Sequence, residues 1–154
     1  MSFLIEQLKQ LVALLAAEKI PYAICGGLAL AVHGKPRATV DIDILIQETD
    51  LQKVMAVGKR AGFNLPAGDM NFAGGKIKIR RLSKIVPKYA DDVLTLDMLL
   101  VTPDVQDVWE TREQRAWEFG DVWVVSREGL IKLKQISGRP NDLRDIENLS
   151  SGQE

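Results

Sequence analysis

The segment VDIDILI, residues 40–46, sets two aspartates, Asp41 and Asp43, inside a run of aliphatic side chains. Successive side chains of a β-strand point to opposite faces, so a strand here would carry both carboxylates on one face, with Cα atoms about 7 Å apart. The other face would then be aliphatic, made of Val40, Ile42, Ile44 and Ile46. Acids that alternate with aliphatic residues are also common where one face of a sheet meets water. The segment alone therefore leaves open a solvated face or a site that uses two carboxylates.

A glycine pair, Gly26 and Gly27, precedes this strand and separates a short apolar strand from a short helix that ends at Gly34. Glycine lets a phosphate approach the backbone, and a helix N-terminus offers free N–H groups to it. A plain tight turn explains the same pattern. Lys35 and Arg37 follow, and they either add positive charge near a phosphate or are solvated loop charges.

A third acid lies in a later apolar segment, DVLTLDMLLV, residues 92–101. Alternation puts Asp97 on one face of this strand and Leu94, Leu96, Met98 and Leu100 on the other. If the two acidic strands are neighbours, Asp97 converges with Asp41 and Asp43. Three carboxylates in one place repel each other, so either some stay protonated or a cation neutralises them. Oxygen ligands of this kind select Mg²⁺ or Mn²⁺.

Helical and strand patterns alternate along the rest of the chain. We predict helices over residues 2–19, 50–62, 126–137 and 140–149, and one that begins at Pro103 after Thr102. We predict a strand over residues 76–85 and a hairpin that turns near Gly120 and Asp121. The segment 63–75 is rich in Gly, Pro, Asn and Asp, and is predicted to form a loop.

This mixture of elements predicts an α/β or α+β fold, in which helices flank a mixed β-sheet and a short helical segment ends the chain. A length of 154 residues suits one domain. We expect residues 1–125 to form the core with its N-terminal helix. Residues 126–149 are expected to pack on that core as a helical segment, and residues 150–154 to form a disordered tail.

Composition excludes several classes of function. The formal net charge is −1, which disfavours extensive contacts with nucleic acid. The chain has one cysteine, Cys25, so no intrachain disulfide forms and a reducing compartment fits best. No uncharged apolar run reaches the roughly 18 residues of a membrane span. We therefore expect a cytoplasmic protein without a membrane partner.

Charged residues also fall on the inward side of the two C-terminal helices. A helical wheel points Lys134 to the packed side of its helix. On the next helix Asp142 falls within the apolar stripe formed by Leu143, Ile146 and Leu149, and Asp145 lies at its edge. Lys134 and an inward aspartate are either a structural ion pair or part of a site.

Together, the Gly-Gly turn, the short helix, the Arg-x-Thr segment, the Asp-x-Asp strand and the later Asp97 strand resemble the DNA polymerase β-like nucleotidyltransferase superfamily. The resemblance covers residues 22–46 and the Asp97 strand. It is closest to small nucleotidyltransferase-fold proteins of the abortive-infection and toxin–antitoxin type. The C-terminal segment LIKLKQISGRPNDLRDI, residues 130–146, is similar to the lysine and Arg-x-x-Asp region of those proteins.

The resemblance implies a role for each matching residue. Gly26 and Gly27 would hold a nucleoside triphosphate, which Arg37, Thr39 and Lys134 would help to bind. The metal ligands would be Asp41, Asp43 and Asp97, with Asp97 alternatively the base for an incoming hydroxyl. Asp142 would be a catalytic or acceptor-orienting acid. His33 matches a position that is often histidine in these proteins, but packing or capping at the helix end is the favoured interpretation.

The implied reaction moves a nucleoside monophosphate from an NTP to a hydroxyl and releases pyrophosphate, with Mg²⁺ or Mn²⁺ as the cofactor. The acceptor is a tRNA end, a protein side chain or a small molecule. The alternative is a non-catalytic module that binds a nucleotide or a partner protein, as an antitoxin-like regulatory subunit would.

Overall fold

The computed structural model describes residues 2–86 and 93–151, which form one seven-stranded mixed sheet and six α-helices. The strands are β1 (Ala23–Cys25), β2 (Asp41–Ile46), β3 (Leu65–Phe72), β4 (Ile77–Ile85), β5 (Val93–Leu100), β6 (Glu113–Trp117) and β7 (Gly120–Val124). The helices are α1 (Phe3–Ala17), α2 (Gly26–Val32), α3 (Leu51–Arg60), α4 (Gln106–Glu110), α5 (Arg127–Ser137) and α6 (Pro140–Ser151). Short 3₁₀ turns at Glu48–Asp50 and Pro103–Val105 lead into α3 and α4. The predicted fold class is confirmed.

The sheet has the strand order β3-β4-β5-β2-β1-β7-β6, so β2 lies at its centre. β2 pairs in parallel with β5 and antiparallel with β1. β1 pairs in parallel with β7, and the β3–β4, β4–β5 and β6–β7 pairs are antiparallel. This order places the two acidic strands side by side, as their convergence requires.

The face of the sheet that carries no carboxylates forms the centre of the hydrophobic core. Ile42, Ile44, Leu96 and Met98 are fully buried. α1 and α3 pack on this layer, and both have the apolar spacing that the sequence predicts. Buried residues of these helices include Leu8, Leu11, Leu15, Val54 and Val57. Burial of apolar surface at roughly 25 cal/mol per Å² is the main stabilisation of such a layer.

The loop predicted over residues 63–75 is wrong for its middle part. Residues Leu65–Phe72 form β3, which pairs with β4 at one end of the sheet. An edge strand pairs on one side alone, so it accommodates proline and glycine, and the register shifts between Pro66 and Asp69. The pairing with β4 outweighs a composition that is typical of loops.

Two details of the predicted strands also differ. β2 begins at Asp41, and Val40 is 71% exposed instead of belonging to the aliphatic face. Trp117 pairs with Gly120, so the predicted hairpin forms but turns at residues 118 and 119. In both places the prediction was misplaced by one or two residues.

The C-terminal helices are capped as their sequence favours. The Ser126 side chain accepts a hydrogen bond from the Gly129 N–H at 3.0 Å, and Gly138, with φ of 66°, ends α5. The predicted stripe of α6 is partly wrong, because Leu143 is 57% exposed. Asp142 and Asp145 are buried instead. Their carboxylates have charged partners on the inward side, so α6 turns its acids and not Leu143 toward the core.

Helix α6 ends at Ser151. Residues 152–154, which belong to the predicted tail, lie outside the described residues. Asp92, the first residue of the predicted strand 92–101, also lies outside them. Across residues 2–86 and 93–151, no helix combines the length and the apolar character that crossing a membrane would require.

Candidate active site

The three acids of the sequence meet at the centre of the sheet. In the parallel pairing of β2 with β5, Asp43 lies opposite Asp97 and Asp41 lies opposite Thr95. The carboxylates share the face of the sheet that α1 and α3 leave open. The predicted convergence is therefore confirmed by the strand register.

These acids line a cavity of about 570 Å³, within the size range of small-molecule sites. α5 and the start of α6 form its opposite wall. The cavity brings together every residue for which the sequence predicts a role: Gly26, Gly27, Arg37, Thr39, Asp41, Asp43, Asp97, Lys134 and Asp142.

The electrostatics of the site favour a cation. Burial, followed by the nearby charges of Asp97 and Asp41, raises the pKa of Asp43 from 3.8 to about 7. Burial and the Asp97 charge also raise the pKa of Asp41. Such carboxylates are costly to keep ionised without a counter-ion, so the site would gain stability from a bound cation.

Sequence reasoning did not identify a cation that is already present, the guanidinium of Arg81. Arg81 lies opposite Asp97 in the β4–β5 pairing. Its Nε and Nη2 donate to the two Asp97 carboxylate oxygens at 2.7 and 2.9 Å. The hydrogen bond to Asp97 raises the pKa of Arg81. Alternation along β4 was the available signal, because one of the adjacent Arg80 and Arg81 must face the cavity.

Two of the three predicted metal ligands are suited to bind a divalent ion. Asp41 and Asp43 offer carboxylate oxygens, the donors that Mg²⁺ and Mn²⁺ prefer. Both Asp97 oxygens are engaged by Arg81, and within the described part of the chain no group of three potential ligands is arranged to hold an ion together. Asp97 would therefore share its carboxylate between Arg81 and the metal if it acted as a third ligand.

The Gly-Gly pair is required by packing within the site. Gly26 has φ of +64°, and a Cβ there would overlap the Asp43 carboxylate. A Cβ on Gly27 would lie 2.8 Å from the Thr39 side chain. The glycines therefore let α2 approach the acidic strand and the Thr39 connector closely.

An ion-pair network joins the connector before β2 to the C-terminal helices. The Lys134 ammonium lies 2.9 Å from Asp145 and 3.7 Å from Asp142, and all three side chains are buried. Arg37 donates to the Asp145 carboxylate at 3.0 Å from the opposite side. Asp145 is thus a central residue of the network, although the sequence placed it at the edge of the apolar stripe.

Asp142 also accepts hydrogen bonds from two further residues, Ser137 and Arg139. The Ser137 hydroxyl donates to its carboxylate at 2.5 Å and the Arg139 Nε at 2.9 Å. Although burial raises the pKa of Asp142, these hydrogen bonds outweigh it and leave the pKa below its usual value. Asp142 is therefore an ionised acid at the rim of the cavity.

His33 lies outside the cavity. It is the C-cap residue of α2, and its Nε2 donates to the Val125 carbonyl at 2.8 Å. This contact agrees with the favoured interpretation of packing and capping at the helix end.

Comparison with known families settles the class of protein. A family model described as "nucleotidyltransferase of unknown function" (DUF6036) matches residues 2–151. The chain belongs to this nucleotidyltransferase family. The match spans nearly the whole chain, and the predicted enzyme class, a nucleotidyltransferase, is confirmed. The abortive-infection and toxin–antitoxin subtype stays a prediction.

Solved structures share the fold of this nucleotidyltransferase at low sequence identity. The candidate nucleotidyltransferase TM1012 from Thermotoga maritima has a TM-score of 0.66 and 14% identity, over 97% of this chain and 93% of that chain. The enzyme ANT(2")-Ia, in complex with adenylyl-2"-tobramycin, has a TM-score of 0.68 and 13% identity, over 99% and 91%. The lincosamide antibiotic adenylyltransferase LnuA, bound to lincomycin, has a TM-score of 0.58 and 18% identity, over 95% and 96%. No curated protein sequence matches this chain.

Proposed function

We propose that the protein transfers a nucleoside monophosphate from an NTP to a hydroxyl of a small molecule, in a reaction that depends on Mg²⁺ or Mn²⁺. The observation that carries this proposal is the convergence of Asp41, Asp43 and Asp97 in one cavity with the Gly26-Gly27 turn. Two structures of the same fold hold an antibiotic or its adenylylated product, which supports a small-molecule acceptor.

The nucleotide would bind on the side of the cavity formed by β1, α2 and α5. Gly26 and Gly27 leave room for the triphosphate, and Thr39 packs against them. Lys134 and Arg37 are the cations on this side, and Asp145 holds both. The phosphate oxygens of an NTP would accept charge-assisted hydrogen bonds from Lys134 and Arg37.

The transfer step forms a bond between the acceptor oxygen and the α-phosphorus of the NTP. The bond from the α-phosphorus to the oxygen that bridges to the β-phosphate breaks, and pyrophosphate leaves with that electron pair. Asp97 takes the hydroxyl proton or completes the metal site, and Asp142 orients the acceptor. A divalent ion held by Asp41 and Asp43 would neutralise phosphate charge and align the reacting groups. Positioning and charge neutralisation supply most of the catalysis.

One observation favours a second candidate, a module that binds a nucleotide or a partner protein without turnover, as an antitoxin-like subunit would. Both oxygens of Asp97 accept hydrogen bonds from Arg81, so the charge of this acid is already balanced without a metal. Nucleotide binding without transfer to any acceptor would support this candidate.

Calorimetry of a non-hydrolysable NTP analogue, with and without Mg²⁺, tests the nucleotide and metal site that the proposed function requires. We expect Mg²⁺-dependent binding that is lost in Asp41→Asn/Asp43→Asn. The matched control is Asp104→Asn/Asp121→Asn, which changes two exposed aspartates outside the cavity. Loss of binding in the control as well, or no binding by the folded wild-type protein, would contradict the proposal.

We place this activity in the cytoplasm. The chain has a single cysteine, Cys25, and it is buried. This agrees with a reducing compartment. Separation of cell compartments, followed by detection of the protein with an antibody, tests this location.

A further inference from the structure

One wall of the cavity is apolar. It consists of side chains from three neighbouring strands, Met70, Phe72, Ile77, Ile79 and Leu99. Met70, Phe72 and Leu99 are only half-buried, so the cavity leaves part of their surface uncovered. An apolar wall beside three carboxylates is not needed to hold phosphate or metal, and it is the part of the cavity that the proposed function leaves unused.

Strand register explains why these side chains face the cavity. Met70 pairs with Ile79, Ile79 pairs with Leu99, and Phe72 pairs with Ile77. Because side chains alternate along each strand, the polar residues between them point to the other face. The wall is therefore continuous across β3, β4 and β5, and it continues directly from Asp97 on β5.

The strand order also fixes where this wall lies relative to the reaction. The glycine turn adjoins β1, the acids lie on β2 and β5, and the wall extends over β4 to β3. With neighbouring strands about 4.8 Å apart, β3 lies roughly 10 Å beyond β5. In a phosphoryl-type transfer the attacking and leaving oxygens are roughly in line. Pyrophosphate leaves on the glycine side, so the attacking hydroxyl enters from the side of the apolar wall.

The charges around the wall are unsuitable for a cationic ligand. None of the cavity-lining residues that β3 and β4 contribute is acidic, and the one charged residue among them is Arg81. At the outer end, the Arg139 guanidinium lies 6.0 Å from the centre of the Phe72 ring. A positive charge on the apolar body of an acceptor would meet two arginines and would lose hydration against the wall, because the nearby carboxylates of Asp97 and Asp142 are already paired with those arginines.

We propose that the wall formed by Met70, Phe72, Ile77, Ile79 and Leu99 is the acceptor subsite, and that it takes an uncharged alcohol with an apolar body. The hydroxyl of this acceptor points toward Asp97, and its apolar part covers the exposed surface of Phe72 and Met70. This inference rests on the proposed function, because it assigns the second substrate of the same site.

Fluorine NMR with a matched pair of probes tests the subsite directly. The probes are para-trifluoromethyl benzyl alcohol and the same alcohol with an aminomethyl group on its ring, so both keep the hydroxyl and the apolar ring and differ by a positive charge on the ring. Each is titrated into wild-type protein with Mg²⁺ and a non-hydrolysable NTP analogue. We expect saturable binding of the alcohol and about tenfold weaker binding of the amine, because the ammonium would be desolvated without a partner.

Two variants locate the bound probe. Phe72→Asp should abolish binding of the alcohol, whereas Leu65→Asp should leave it unchanged. Leu65 is exposed on the same strand and does not line the cavity, so it controls for an added charge on β3. Phe72→Leu, which keeps the wall apolar, should retain binding and guards against loss of folding in Phe72→Asp.

The outcomes separate this inference from the proposed function. Calorimetry of the NTP analogue on the same samples reports the nucleotide site, and its absence would overturn the proposed function together with the acceptor assignment. If the analogue binds, the inference alone is overturned by any of three results. These are equal or tighter binding of the amine, equal effects of the Phe72→Asp and Leu65→Asp changes, and absence of saturable alcohol binding. If the alcohol binds in a second titration without the analogue and its binding is lost with the analogue present, the acceptor assignment is overturned and the wall belongs to the nucleobase.

Discussion

At the scale of single residues, Asp43 shows the conflict that the site contains. Its carboxylate is enclosed beside Asp97 and Asp41, and an added Cβ on Gly26 would overlap it. Burial and like charge both oppose ionisation, so the residue destabilises the metal-free fold at neutral pH. Such a destabilising carboxylate is expected in a site that serves a function and not the stability of the fold.

The pH dependence of stability should reveal this cost. The pKa of Asp43 in the folded protein is about 7 and its ordinary value is 3.8. Below pH about 3 the effect is small, because the carboxyl is mostly protonated in both the folded and the unfolded state. Stability then falls as the pH rises, until the full penalty applies above about 7. We expect metal-free Asp43→Asn to be more stable than wild type above pH about 7, by up to about 4 kcal/mol. Urea unfolding across this range, with Asp121→Asn as the exposed control, measures it, and a difference that does not vary with pH would contradict it.

Arg81 should compete with metal for Asp97. In the absence of nucleotide, a metal that uses Asp97 competes with the Arg81 guanidinium for the same carboxylate, and a hydrogen bond to a charged group is worth roughly 1.5–3 kcal/mol. We therefore expect Arg81→Met to bind Mn²⁺ about tenfold more tightly than wild type, measured by the electron paramagnetic resonance of free Mn²⁺. Arg80→Met, whose parent side chain pairs with Asp69, is the control. Unchanged or weaker binding by Arg81→Met would show that Asp97 is not part of the metal site.

Gly26 and Gly74 have similar backbone conformations but different surroundings, so alanine at the two positions tests the packing of the glycine turn. Their φ angles are +64° and +67°, so an alanine at either position costs about 1–2 kcal/mol of backbone strain. A Cβ on Gly26 also overlaps Asp43, whereas no atom lies within 4 Å of a Cβ on Gly74. Gly26→Ala should therefore lower the free energy of unfolding by roughly 1–3 kcal/mol more than Gly74→Ala does. Equal losses in denaturant unfolding would mean that the close approach to Asp43 has no energetic consequence.

At the scale of elements, α5 and α6 carry a charged interface where a hydrophobic one is usual. Lys134, Asp142 and Asp145 are all buried at the junction of the two helices. Their pairing satisfies each charge, but it also fixes the orientation of α6 and exposes Leu143. Replacing one partner of a buried pair leaves the other charge without compensation, which costs more than the pair contributes.

Asp145→Asn should therefore reduce the stability of the protein by about 3 kcal/mol, because Lys134 and Arg37 would both lose their shared carboxylate. Asp107→Asn is the matched control: Asp107 of α4 binds Lys132 of α5 at 2.7 Å but is solvent-exposed, so little change is expected. Thermal and urea unfolding compare the two. Equal losses would contradict the role given to the buried network.

At the scale of the whole molecule, the C-terminal helices complete the core and the cavity. Leu130, Leu133 and Leu149 are buried, and the first two also line the cavity. A chain ending at residue 125 would lose their burial, worth roughly 1.5–3 kcal/mol for each side chain. We expect this truncated chain to unfold at a much lower urea concentration than the full chain. A cooperative transition at an unchanged midpoint would show that residues 1–125 are a self-sufficient core.

Much of this architecture could be predicted from the chain itself. The alternation in residues 40–46 and 92–101 gave both acidic strands, and the spacing of Leu8, Leu11 and Leu15 gave α1. The strand β3 could not be predicted in this way, because its proline, glycines and polar residues lack strand propensity and its pairing with β4 supplies the stabilisation. The Arg81–Asp97 pair was also missed, since it depends on the register between two strands.

The sequence by itself determined the residues on which the proposed function rests, because periodicity and glycine placement are local properties of the chain. It therefore specified the Asp41, Asp43 and Asp97 carboxylates, the Gly26-Gly27 turn and the inward Lys134. Tertiary structure alone decided what these groups face. Strand order and register are set by packing between distant segments, and they placed Arg81 on Asp97, Asp145 between Arg37 and Lys134, and an apolar wall beside the acids.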